Sequence, residues 1–209
     1  CRMSPNTNNL TKGNKMKKLS KALLLAGLLG LSAQVFAEVE NYKIDNAHSF
    51  ANFEIRHVAS KLSGTFSDVT GNVLIDRANL ANSSVNAKIS LLSVNTSLAK
   101  RDEHIKKEEY LDVGHFADMQ FVSTKVVAKN ANEGVITGKL TLHGVTKELS
   151  FPFKVLGYAT DPWGGYRTGI EAHTAIKATD YGFTWAAKPG GPVGDDIEVT
   201  LLIEGVKTN

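Results

Sequence analysis

The chain has 209 residues, 42% of them hydrophobic and 22% charged, with 24 Lys and Arg against 21 Asp and Glu and a single cysteine, Cys1. Six of the bases and none of the acids precede Glu38, so from there on 18 bases face 21 acids and the chain is mildly acidic. This excludes the basic stripe of a nucleic-acid binder, and with no cysteine after residue 1 it excludes a disulfide framework, a thiol nucleophile or a thiolate metal site.

In chain order, residues 1–15 are polar and unpatterned and read as sequence upstream of a start at Met16. Residues 16–37 have the form of a secretory signal: Lys17, Lys18 and Lys21 precede an apolar run from Ala22 to Ala33 that is too short to span a bilayer. Val35-Phe36-Ala37 supplies the −3 and −1 residues, which puts cleavage between Ala37 and Glu38. The expectation is a periplasmic protein with no stable membrane anchor after cleavage, folded as one domain over 38–209. A domain of that length buries a sizeable core.

Beyond the signal the dominant period is two. Val85, Ala87, Ile89 and Leu91 alternate with polar residues, as do Ile136, Gly138, Leu140 and Leu142. Leu149, Phe151, Phe153 and Val155 follow, then Ile170, Ala172, Thr174 and Ile176, then Ile197, Val199, Leu201 and Ile203, with Leu202 out of step. Further strands are predicted at 41–45, 50–58, 65–76 and 119–129. One apolar and one wetted face per strand mark antiparallel sheet. Eight or nine such strands, punctuated by turns such as Asp161-Pro162-Trp163-Gly164-Gly165, predict an all-β domain, either a closed eight-stranded barrel or a sandwich. Pro152 fits an edge, a bulge or a barrel seam better than a central ladder.

One segment breaks the pattern. Helix formers run from Leu98 to Leu111 behind Thr96-Ser97, with Asp102/Lys106 and Glu103/Lys107 spaced i,i+4, which predicts a short helix over about 97–111. Its thin apolar stripe (Leu98, Ile105, Tyr110 or Leu111) suits a helix lying across one barrel end.

Arg101-Asp102-x-His104 in that helix, Phe121-x-Ser123-Thr124, and the run Leu140-Thr141-Leu142-His143-Gly144-Val145-Thr146 together resemble the YceI-like family of exported lipid-binding proteins. Asp45-x-x-His48-Ser49 with Phe53 and His57, the Asp161-Pro162-Trp163-Gly164 turn and Asp180-Tyr181-Gly182-Phe183 extend the likeness over the whole chain after the signal. Two departures, Ile105 and His115-Phe116-Ala117, fall near the helix exit. The resemblance implies a single antiparallel eight-stranded lipocalin-like barrel holding a long isoprenoid, quinone-like or polyprenyl, or another amphiphilic lipid, for carriage, storage or stress protection. It implies no cofactor and allows a homodimer, which the strands do not decide.

Hydrocarbon needs a dry tunnel. At ~0.8 kcal/mol per buried carbon a five-carbon unit contributes roughly 4 kcal/mol at most, against an association cost on the order of 4–15 kcal/mol. Several units must therefore be enclosed. Candidate lining residues are Phe53, Ile55, Phe66, Ile89, Leu91, Phe121, Leu140, Leu142, Phe151, Phe153, Ile170, Phe183 and Trp185. A filled barrel and a hollow one share this pattern. Arg101 and His104 are candidates to meet a polar headgroup. Alternatives are a binder of a fatty acid or amide, and a lipid-modifying enzyme using Arg101, Asp102 and His104. His57 is expected as a hydrogen-bonded barrel histidine and His143 as a residue holding its hairpin turn. No pair on one element has metal-ligand spacing, and no nucleophile elbow is present, so neither a metal nor a catalytic residue is assigned.

Overall fold

In the computed structural model, which describes residues 39–208, the period-two segments form one antiparallel sheet closed on itself. The signal at 16–37, its cleavage point at Ala37 and Glu38, and residues 1–15 lie outside the described residues. The strands are β1 (Glu40–Ile44), β2 (Phe50–His57), β3 (Ser60–Phe66), β4 (Val69–Ile75), β5 (Ser84–Ser90), β6 (Val94–Asn95), β7 (Asp118–Ala128), β8 (Glu133–Leu142), β9 (Val145–Thr160), β10 (Tyr166–Lys177) and β11 (Val193–Lys207). Three pairs of these are single strands with a break: β1 runs on into β2, β3 into β4, and β5 into β6. Eight staves result. Pairing of both β1 and β2 with β11 closes the ring, which leaves no long free edge.

The break between β1 and β2 shows how side chains stand in for a ladder. Ser49 is fully buried, and its hydroxyl donates to the carbonyl of Glu204 and accepts from the Glu204 N–H, as a strand residue's backbone would. On the other flank Asn46 donates to Asp68 and accepts from the Val69 N–H, which ties the break to the one between β3 and β4. Outside both, Arg167 reaches Asp45, Asp161 and Glu204 with three charge-assisted hydrogen bonds of 2.6 Å each. Asp45, His48 and Glu204 are the metal-like cluster of the described residues, and Arg167 already supplies the positive charge there.

The far end of the barrel is plugged. Tyr42, Tyr158 and Tyr166 pack together, Arg77 lies 4.1 Å from the centre of the Tyr158 ring, and Thr168 donates to the Gly157 carbonyl. The other end carries the hairpin after β2, the 96–117 segment, the hairpin at His143-Gly144 and the 178–192 loop. Outward faces are charged, as where Lys61 bridges Glu54 and Glu198 across three strands. This apolar-in, polar-out arrangement is the reverse of a membrane-spanning barrel. Among the described residues no helix is long and apolar enough to cross a membrane.

Three expectations need correction or refinement, and a fourth stands. The helix α1 spans only Ala99–Ile105. Continued, it would have set Glu108, Glu109 and Asp112 on the face of Ile105. A run of turns instead delivers Tyr110 and Leu111 to the cavity. The strand expected at 65–76 is broken at Ser67-Asp68, and its stave begins at Ser60, where only Leu62 offers an inward apolar signal. His57 stands exposed, and its ring has no hydrogen-bond partner among the described residues. Pro152 lies one residue beyond the last β9–β10 pair, Phe153 with Ala172, at a seam as expected.

The hydrogen bonds from His48 and then from Arg167 hold the Asp45 carboxyl at about 2, below its ordinary 3.8. A depressed carboxylate contributes stability that is complete above its unfolded value and lost as pH falls through its folded one. The melting temperature should therefore drop as pH falls from 3.8 toward 2. Asp45→Asn should melt lower at pH 7 and show a shallower drop across that window, as read by circular dichroism.

Candidate functional site

Two apolar cavities follow one another along the barrel axis. The upper, toward the helix end, has a volume of about 330 Å³, and the lower about 110 Å³. The upper alone reaches the lower end of the range for small-molecule sites. Ile89, Met119, Phe121, Leu140, Phe151 and Leu201 line both, so the two chambers meet at a waist.

An eight-stranded barrel is just wide enough for its side chains to fill, so a void needs a cause. Glycines provide it. A Cβ on Gly64 would fall 2.4 Å from the tip of the Phe53 ring, one on Gly138 2.4 Å from Phe121, and one on Gly134 3.0 Å from Phe153. Phe53 and Gly64 are direct cross-strand partners, as are Phe153 and Gly134. Each ring lies over the bare backbone of a neighbouring strand and leaves the axis free. Phe53 also packs on Phe66, and Phe121 on Phe151, with ring centres 5.4 and 5.3 Å apart.

Eleven of the thirteen predicted lining residues face the upper cavity; Phe153 and Ile170 face the lower. Wall residues not among the predicted lining include Leu62, Tyr110, Met119 and Val193, with His57 at the upper rim, and the glycine seats beneath the rings. Glycine inside a strand pattern is the available signal for such close approach.

The mouth is built from two loops, each closing a seam where strand pairing stops. The 178–192 loop covers the upper part of the β9–β10 gap. His143, at positive φ in its hairpin, donates from Nδ1 to the Tyr181 carbonyl and stacks on Phe183 at 4.5 Å. That loop presents Trp185, whose Nε1 is buried without an acceptor among the described residues.

The second loop carries α1 and is clamped at Thr96. The Asp102 carboxylate accepts from the Thr96 N–H at 2.9 Å and from its hydroxyl at 2.6 Å, while Arg101 Nε donates to the same hydroxyl at 2.7 Å. Arg101 and His104 both line the upper cavity; Asp102 does not. His104 packs at a tilt against Tyr110, with ring centres 4.8 Å apart, and has no side-chain hydrogen bond among the described residues. The three residues of the enzyme alternative therefore form a structural clamp and a rim, with no proton relay between them. No carboxylate lines either cavity.

Residues 42–205 match the family model described as YceI-like domain. The chain is 40% identical over 195 residues to the protein YceI of Salmonella newport, covering 92% of this chain and 99% of that one. Among solved structures it is similar to the YCEI protein of Campylobacter jejuni, at 26% identity and a TM-score of 0.64 over 71% of this chain and 86% of that one. It shares its fold with a polyisoprenoid binding domain from Saccharophagus degradans, at 18% identity and a TM-score of 0.61 over 80% and 98% of the two chains.

Thr96 is buried, and its hydroxyl serves both Asp102 and Arg101. Thr96→Val keeps the shape and removes both bonds. Since hydrogen bonds to charged groups contribute ~1.5–3 kcal/mol each, urea unfolding should show a loss of about 3 kcal/mol or more, with faster amide exchange concentrated in residues 99–113.

Proposed function

The chain belongs to the YceI-like family, and from that premise we propose that it is a binding protein for a long-chain isoprenoid lipid, quinone-like or polyprenyl, held tail-down in the barrel. The observation that carries this reading is the stacked pair of carboxylate-free apolar chambers, plugged at one end by the tyrosine cluster and bordered at the other by polar residues. The relative from Saccharophagus degradans, named as a polyisoprenoid binding domain, supports the ligand class. The signal-like segment at 16–37 supports a periplasmic location, where a lipid carrier or store would work between membranes. The role is binding rather than catalysis, because Asp102 and Arg101 are engaged at Thr96 and no side-chain hydrogen bond joins either of them to His104 on the cavity wall. A fatty acid or amide is the second reading, since a hydrocarbon wall discriminates poorly between chains.

The mouth favours a headgroup that accepts hydrogen bonds. Arg101 keeps its Nη1 unpartnered among the described residues, and Tyr110 and Trp185 add further N–H and O–H groups to the same wall.

Two experiments test this. Protein purified from a periplasm without detergent should release, on extraction, close to one isoprenoid per chain by lipid mass spectrometry; a clean extract together with no uptake of added isoprenoid quinone would contradict it. Arg101→Ala and His104→Ala should weaken binding of an oxygen-headed isoprenoid about tenfold and leave a headless hydrocarbon of equal length less affected. Equal losses for both ligands would leave these residues a structural role only.

A further inference from the structure

The waist between the chambers has a consequence for which lipids fit. It is formed by the Phe121 and Phe151 rings, 5.3 Å apart, with Ile89, Met119, Leu140 and Leu201 completing the circle. Phe121 is held there from below, because it occupies the space a side chain on Gly138 would need, and from the side by Phe151. Beneath the waist the lower chamber is a blind end: Ala172 and Val155 line it and do not line the upper one, and the Tyr42–Tyr158–Tyr166 plug lies below.

We propose that the lower chamber is a chain-length selector: a tail long enough to pass the Phe121–Phe151 waist seats its terminal segment there, and the plug sets the longest tail that gains by it. The proposal rests on the lipid-binding reading above and adds to it a preferred range of tail lengths. Burial of hydrocarbon contributes in proportion to the carbons enclosed. Affinity should therefore climb with length through the upper chamber, rise again once a tail reaches the lower one, and level off when further carbons remain in water. Ala172 sits between Phe153 and the waist residue Leu201 in the ladder and lines the lower chamber but not the upper, so enlarging it takes space from the lower chamber just beneath the waist. Val155 is the opposite lever, since shortening it deepens the same space.

The test uses delipidated protein and a series of all-trans polyprenyl alcohols of increasing length. Affinities are read by displacement of a fluorescent fatty probe from wild type, Ala172→Leu and Val155→Ala. Wild type should reach a plateau at a definite length. Ala172→Leu should reach it at a shorter chain, with the ratio of long-chain to short-chain affinity reduced at least tenfold, and Val155→Ala should reach it at a longer one. Opposite shifts from two variants separate selection from a general loss of folding, which would lower every affinity in the same sense. An identical plateau in all three proteins would overturn the selector while leaving lipid binding in place. Failure of wild type to bind any member would remove the lipid-binding reading itself.

Discussion

The cavity depends on where three phenylalanine rings rest. In a closed barrel of eight staves every second residue points at the axis, and there is room for those side chains and little else. Phe53, Phe121 and Phe153 would fill that room if they projected straight inward. Each lies instead across a strand neighbour reduced to glycine, Gly64, Gly138 or Gly134, with the outer carbons of its ring in the space a side chain would take. The ring still buries its area, and the glycine, costly in a strand interior for its missing side chain, is covered by an aromatic surface. Wall stability and an empty axis thus come from the same contacts.

The mouth follows from a second constraint. Strand pairing stops short at two places, between β9 and β10 beyond Phe153 and beside the two-residue β6, and each gap needs a cover. The covers are the loops that carry the polar side chains of the site. Arg101 approaches the cavity because the bonds it donates to Thr96 fix the start of α1, and Trp185 does so because the His143–Tyr181 bond and the stack on Phe183 hold the 178–192 loop. The seams of the barrel and the entrance of its cavity are therefore one feature. At the other break, between β1 and β2, Ser49 and Asn46 repair the ladder with side chains and nothing is opened.

Much of this was legible in the sequence. The five clear alternating runs gave the inward face of β5, β8, β9, β10 and β11 residue by residue, because burial on one side enforces the period whatever the tertiary detail. Seven of the thirteen candidate lining residues come from those runs, Phe53, Ile55, Phe66, Phe121, Phe183 and Trp185 from outside them, and all thirteen stand on a cavity wall. What pattern could not convey was whether the barrel is filled, since that turns on how rings lie over Gly64, Gly134 and Gly138, and period two is indifferent to ring orientation. Ser60 to Gly64 was silent for a related reason: its inward positions are a serine, one leucine and a glycine seat. The helix was overextended because its charge spacing is helical through Lys107, while the need to bring Tyr110 and Leu111 inward is tertiary. Asp45-x-x-His48-Ser49 marked the family before its job as a strand splice could be seen.

A hollow barrel that admits an apolar chain through this mouth admits it past Trp185. The protein has two tryptophans, and Trp163 is 84% exposed on the turn between β9 and β10, away from the mouth. In a Trp163→Phe background Trp185 therefore reports alone. The most direct measurement is its fluorescence as delipidated protein is titrated with an isoprenoid quinone. A hollow barrel gives saturable quenching that ends at one equivalent. Emission that stays constant through several equivalents, from protein that remains folded by circular dichroism, would mean that no chain enters past Trp185 and that the axis is closed to lipid.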